Sequence, residues 1–285
     1  MEITSVKGSH MGLKTNGDVQ GIYFLSSGMK RLPRGLFKTF KNLQKYIVHG
    51  LDTVGEFLET EGLIKGDFEG ARSLTSASFM SVIIEHIRPR VFEGALNIVH
   101  ITLEACRVIT IDKDAFSGLK KLQSLGLKYN YISTLHAATF SSLDELQHLL
   151  LSGNYLKTFT NNHIKNNKNL NRISLIGNLL SEVDENLKKN MKNLEHIYLD
   201  QNICIDEHFG TDGVPFSKFE KYISSCSHEA AHVRNGLKQA EEIKTLENEI
   251  LSLQQLVEKY KNENCGMSMK VGGIHDAFWK RKEMP

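Results

Sequence analysis

The apolar residues of this chain fall into columns. Leu122, Leu125, Leu127 and Asn130 recur as Leu146, Leu149, Leu151 and Asn154, then as Leu170, Ile173, Leu175 and Asn178, then as Leu194, Ile197, Leu199 and Asn202; each step is 24 residues. The same ruler run backwards finds Ile98, Ile101, Leu103 and Cys106, and before them Leu74, Ala77, Phe79 and Val82. The next step back is 31 residues, to Leu43, Tyr46, Val48 and Leu51, and a further 24 leads to Val19, Ile22 and Phe24. We count about eight units, the first degenerate. The seven extra residues of the long step are expected in a bulged loop within the glycine-bearing segment Gly55 to Gly70.

Within each unit, L-x-x-L-x-L alternates apolar and polar positions, so one side of a short strand enters a core and the other meets solvent. The Asn column supplies amides for the backbone groups left open where the strand turns away, each Asn stacking on the next. A second apolar column, Phe37, Phe68, Phe92, Phe116, Phe140 and Ile164, lies on the return segment and predicts a spine of stacked rings behind the strands.

In these columns, from Val19 to Ile205, the chain resembles the leucine-rich repeat family, specifically its 24-residue extracellular class. The resemblance implies an α/β solenoid, a horseshoe with a parallel β-sheet on its concave face, whose stacked neighbours bury what no single unit could. It also admits a cysteine in the Asn column, so Cys106 reads as a buried, inert ladder residue. The expected organisation is an unstructured segment over 1–18, the solenoid over 19–205, a cap over 206–227, an amphipathic helix or short coiled coil over 228–264 and a disordered tail over 265–285.

Beyond Asn202 the apolar residues Phe216, Phe219, Tyr222 and Ile223 suit one face of a short helix. This segment is similar to the C-terminal cap of secreted members, with two cysteines in place of four. The resemblance implies a Cys204–Cys226 disulfide, worth about 3 kcal/mol in the chain-entropy model. Two reduced buried thiols in a cytosolic protein are the alternative. No cysteine precedes Cys106, so either the strand from Val19 to Leu25 caps the solenoid at its start or the N-terminus is truncated.

Ile243, Leu246, Ile250, Leu253, Val257 and Tyr260 alternate spacings of three and four, a heptad seam of about two and a half heptads. In a parallel homodimer Glu242 would face Glu247, and Glu249 would face Gln254. The first pair repels and the second is neutral. A heterotypic partner with basic flanking residues, or docking back on this chain, fits better; a solvated helix that extends the cap is the other reading. Cys265, beyond the seam, suits an interchain bridge, a reactive thiol or a free cysteine in a tail.

The charges nearly balance, 35 Lys and Arg against 33 Asp and Glu. Nothing in the whole-chain charge calls for nucleic acid or an anionic membrane as partner. No apolar run reaches the length of a membrane span, and the first 18 residues lack the apolar stretch of a secretory signal. The missing signal favours truncation, while the absence of any N-x-S/T sequon speaks against secretion.

No phosphate loop, nucleophile elbow or paired-carboxylate arrangement is present, so no enzymatic activity and no cofactor is expected. His228, Glu229, Ala230, Ala231 and His232 spell H-E-x-x-H, but Lys238 stands where the longer zinc signature has a third histidine. His100, His148 and His196 share one outward column in alternate repeats, at roughly 10 Å, too far apart to share an ion. They offer a means of making binding pH-sensitive.

A solenoid binds through the outward side chains of its concave sheet, whose entropy is already lost on folding. Here that surface is expected to include Tyr23, Lys45, Ile47, His49, His100, Thr102, Glu104, Lys128, Tyr129, His148, Leu150, Arg172, Ile176, His196, Tyr198 and Asp200. Mixed charge with exposed Tyr, Leu and Ile suits a protein ligand. The layout is similar to insect secreted leucine-rich repeat proteins, including the leucine-rich immune proteins of mosquitoes. That resemblance implies an extracellular scaffold that pairs through its helix and holds a defence protein. The competing reading is a cytosolic leucine-rich repeat adaptor.

Overall fold

The computed structural model describes residues 15–24, 33, 35–50, 62–188, 191–224 and 226. The chain divides into a unit spanning 1–234 and a second spanning 235–285, and every described residue lies in the first. The heptad seam, the H-E-x-x-H segment, Cys265, Leu51 and the first part of the expected bulge fall outside the described residues.

The strands, in chain order, are β1 (Gly21–Phe24), β2 (Lys45–His49), β3 (Ser76–Met80), β4 (His86–Ile87), β5 (His100–Glu104), β6 (Thr110–Ile111) and β7 (Ser124–Gly126). They continue as β8 (His148–Leu150), β9 (Thr158–Phe159), β10 (Arg172–Ser174), β11 (Glu182–Val183), β12 (His196–Tyr198) and β13 (His208–Phe209). Among the described residues one sheet carries nine of them in the order β1-β2-β3-β5-β7-β8-β10-β12-β13. All its pairs are parallel except β12–β13. On the return side β4 pairs with β6 and β9 with β11.

Sequence period and sheet register coincide. Ile22, Tyr46, Ala77, Ile101, Leu125, Leu149, Ile173 and Ile197 are successive Cα partners across the parallel strands. The 31-residue step is absorbed without a slip, since Tyr46 still faces Ala77. A slip by one residue would turn the whole apolar set to solvent, so burial holds the register. From Leu74 to Leu199 the residues of the three apolar columns are at most 2 % exposed. Burying each Leu contributes about 2 kcal/mol, a gain that exists only once the next coil is stacked on it.

The asparagines close each coil to the one before it. Asn130 Oδ1 accepts the Cys106 and Val108 N–H groups, both at 3.0 Å, while its Nδ2 donates to the Leu103 and Leu127 carbonyls. Asn154, Asn178 and Asn202 repeat the pattern, each reaching a carbonyl of its own repeat and one of the repeat before. The amides therefore bridge backbones and do not bond to one another. Cys106 keeps part of this role, its Sγ lying 3.3 Å from the Phe79 carbonyl oxygen, and burial pushes its thiol pKa up to about 12.

Behind the sheet the ring column is continuous. Centroids of Phe37 and Phe68, Phe68 and Phe92, Phe92 and Phe116, and Phe116 and Phe140 lie 5.7, 4.9, 5.9 and 6.3 Å apart, and Ile164, at the end of the short helix Asn161–Ile164, ends the row fully buried.

At the far end the chain reverses. β13 pairs antiparallel with β12, and Phe209 sits fully buried with ring contacts to Phe216, Phe219 and Tyr222. The expected helix is a 3-10 turn, Phe216–Lys218, running into a short α-helix, Phe219–Ile223. The Cys204–Cys226 disulfide closes this end with a Cα separation of 4.9 Å. At the other end Thr15 caps a 3-10 turn, Asn16–Asp18, where no structure was expected, and Asn42 Nδ2 ties it down through the Gly17 carbonyl.

Candidate binding face on the concave sheet

The outward residues of the sheet form three rows. Lys45, Ser76, His100, Ser124, His148, Arg172 and His196 are register partners along one margin. Ile47, Ser78, Thr102, Gly126, Leu150, Ser174 and Tyr198 form the centre. Small side chains dominate this central row, and the Ser174 hydroxyl bonds that of Ser152 at 2.6 Å. His49, Met80 and Glu104 begin the third row. Lys128 continues past the end of its strand and faces Glu104 at 3.5 Å.

Most expected face residues therefore do share one surface: Lys45, His49, His100, Glu104, Lys128, His148, Leu150, Arg172, Ile176 and Asp200 are exposed or half-buried on it. His196 is the exception and corrects the expectation. Only 9 % exposed, it lies beneath the turn that follows β13. The Gly210 backbone passes so close that a Cβ there would meet His196 Nδ1 at 2.6 Å. His196 Nδ1 bonds Asp212 Oδ1 at 2.9 Å, and Tyr198 donates to Asp212 Oδ2 at 3.3 Å. The rings of His196, Tyr198 and His208 stack at 5.8 and 5.7 Å, with the Arg172 guanidinium 5.7 Å from the Tyr198 centroid.

Tyr129 stands apart in another way. It follows the strand in left-handed conformation, 65 % exposed, with its ring over Gly153. There it joins the half-exposed Tyr131 and Tyr155, whose rings are 6.0 Å apart, on the edge where the chain leaves the sheet.

Electrostatics separate the histidines. Burial, and then the neighbouring Arg172 and His100, hold the His148 pKa below its ordinary value. His208 is held above it, first by the Asp212 main-chain carbonyl and then by Asp200, despite some burial. Burial works against ionising Asp212, but its own backbone hydrogen bond and His196 outweigh it and hold that carboxyl below the usual range. Among the described residues no group of three or more His, Cys, Asp or Glu side chains could hold a metal.

Two features escaped the sequence. Gln147, His148, Asn169, Asn171, Lys192, Asn193 and Glu195 line a polar depression beside the first row. They come from turns and strand starts of three repeats, and none stands out within its own repeat. The covering turn did leave a trace, since Asp212-Gly213 is a turn-forming dipeptide.

A family model described as leucine rich repeat matches residues 96–156. No curated protein matches the chain. Among solved structures it is similar to a chain of the glycosylated Toll–Spatzle complex, described as a molecular hub in Drosophila development and innate immunity, with 24% identity and a TM-score of 0.53 over 66% of this chain and 28% of that one. A second structure of the Toll–Spatzle complex gives 17% identity and a TM-score of 0.35, over 66% of this chain and 34% of the other. The chain thus spans about a third or less of the length of those chains, and the first likeness is one of fold. The family match falls on the stretch where period, register and ladder agree most closely, and over it the chain carries leucine-rich repeats within a solenoid similar in fold to the first of those chains.

Proposed function

We propose that the chain is a secreted, non-enzymatic module that takes a protein ligand on the concave sheet. The observation that carries this is the face itself. Three rows of outward side chains are fixed by register on a continuous parallel sheet, so a partner docks with little further loss of entropy. The small central row leaves room for a partner's projecting side chains, and Ile47 and Leu150 supply apolar contact among polar neighbours. The Cys204–Cys226 bridge supports an oxidising compartment. The similar fold in the Toll–Spatzle complex supports a solenoid that works by holding a protein, and the mosquito-like layout supports a role in insect defence. The C-terminal seam from Ile243 to Tyr260 would then join the module to a heterotypic partner.

A cytosolic adaptor is the second reading, favoured by the absence of sequons. Affinity capture from haemolymph and from cytosol, using the chain and a Ser124→Trp variant that blocks the middle of the first row, tests both. A ligand taken from haemolymph and lost with the variant is expected. Capture only from cytosol supports the adaptor, and capture indifferent to the variant removes the concave face from the account.

A further inference from the structure

We infer that the concave face selects a partner presenting carboxylates; this rests on the concave reading above and deepens it. Over the whole chain, acids and bases nearly cancel. On this face each acid already has a partner of its own, whereas two of the bases do not. Glu104 faces Lys128 at 3.5 Å, Asp200 faces His208 Nδ1 at 3.5 Å, and Asp212 is bonded by His196 at 2.9 Å. Among the described residues neither Lys45 nor Arg172 has an acid within ion-pair distance, and Arg172 is steadied over the Tyr198 ring. The row between them carries His100 and His148, and no acid interrupts it. In the depression beside His148, Lys192 and Glu195 contribute one charge of each sign. What remains open to a partner is therefore positive.

The pattern fits a protein better than a polyanion. Nucleic acid and sulfated polysaccharide demand closely spaced fixed cations. Here the two fixed cations stand five strand steps apart, with neutral, small and apolar groups between them. A folded surface or extended segment carrying a few carboxylates matches that spacing, and complementary charge excludes basic partners as much as it attracts acidic ones.

Peptides selected by phage display on the intact chain, then measured by fluorescence anisotropy, test the inference. Peptides released by the neutral block Ser124→Trp are expected to carry an excess of Asp and Glu. Arg172→Glu should weaken them by about tenfold or more, Arg172→Gln less, and Lys113→Glu, on the return side, hardly at all. Circular dichroism and mapping of the disulfide confirm that each variant is folded. Peptides released by Ser124→Trp but free of acidic excess and indifferent to Arg172→Glu overturn the charge inference and leave the concave reading intact. Peptides indifferent to Ser124→Trp overturn both. Heparin or single-stranded DNA bound more tightly than any peptide, and released by Arg172→Glu, replaces the acidic protein with a polyanion and overturns the inference as well.

Discussion

Asp212 meets His196 at 2.9 Å from the turn that follows β13, and with that contact the open first row of the concave face ends at β10. The last parallel strand keeps its place in the sheet, but its first-row side chain is roofed by the chain's own return. Replacing Asp212 by Ala removes the bonds to His196 and Tyr198 together. Hydrogen exchange should then quicken over 206–214 while β8 and β10 keep their protection. Unchanged exchange in the turn would mean that Phe209 packing alone holds it down.

The two perturbed histidines of this face predict opposite pH behaviour. His208 is raised from 6.5, so its contribution is fully present below that value and is lost as pH rises through the higher folded pKa. His148 is lowered from 6.5, so below that value the unfolded chain binds the proton more readily and stability falls with pH. Thermal unfolding between about pH 5 and about pH 8.5 should show His208→Asn costing most at the acid end. His148→Gln should gain on the parent chain in acid. Parallel curves for all three proteins would contradict both signs.

Asn130→Ala should destabilise the solenoid by about 3 kcal/mol, because it leaves the buried Cys106 and Val108 N–H groups without their acceptor. Urea unfolding measures this directly. A loss below about 1 kcal/mol, the scale of a hydrogen bond exchanged for water, would mean that water enters the ladder.

Cys226→Ser opens the terminal closure, and the expected loss is about 3 kcal/mol. The loss should vanish when parent and variant are compared under reducing conditions. A difference that persists there would belong to packing against Phe219 and Ile223 instead.

With its thiol buried and its pKa pushed up to about 12, Cys106 should resist alkylation in the native protein and react only in denaturant. Peptide mapping after brief iodoacetamide treatment reads this residue by residue. Rapid native labelling of Cys106 would show that the ladder opens locally.

The solenoid was legible because stacking turns distance along the chain into contact. Residues 24 apart become sheet partners, so the columns seen in Leu122, Leu146 and Leu170 are physical rows. The ring spine follows for the same reason. A third column was not legible. Ser81, Ala105, Tyr129, Gly153, Gly177 and Gln201 all adopt left-handed backbone, with φ from 53° to 66°. Only two of them are glycine, so residue type hid a conformation that the turn takes just before each ladder position, whether asparagine, cysteine or valine stands there. Nor did abundant Asn reveal that Asn97, Asn169 and Asn193 tie each turn to a carbonyl one repeat earlier.

Period, strand face, ladder and cap cysteines are properties of residue type at fixed spacing, and the amino-acid sequence alone settles them. Which face residues remain open is a different kind of question. His196 is indistinguishable from His100 and His148 in its column, yet residues 208–212 return over it and leave the others uncovered by this turn. Glu104, Asp200 and Asp212 count as free acids along the chain and are engaged in space. Burial and charge pairing depend on what the folded chain brings back to a position. Here that comes from an antiparallel strand and turn outside the repeat, so the tertiary structure decides which residues of the concave face stay open and which of its charges are paired.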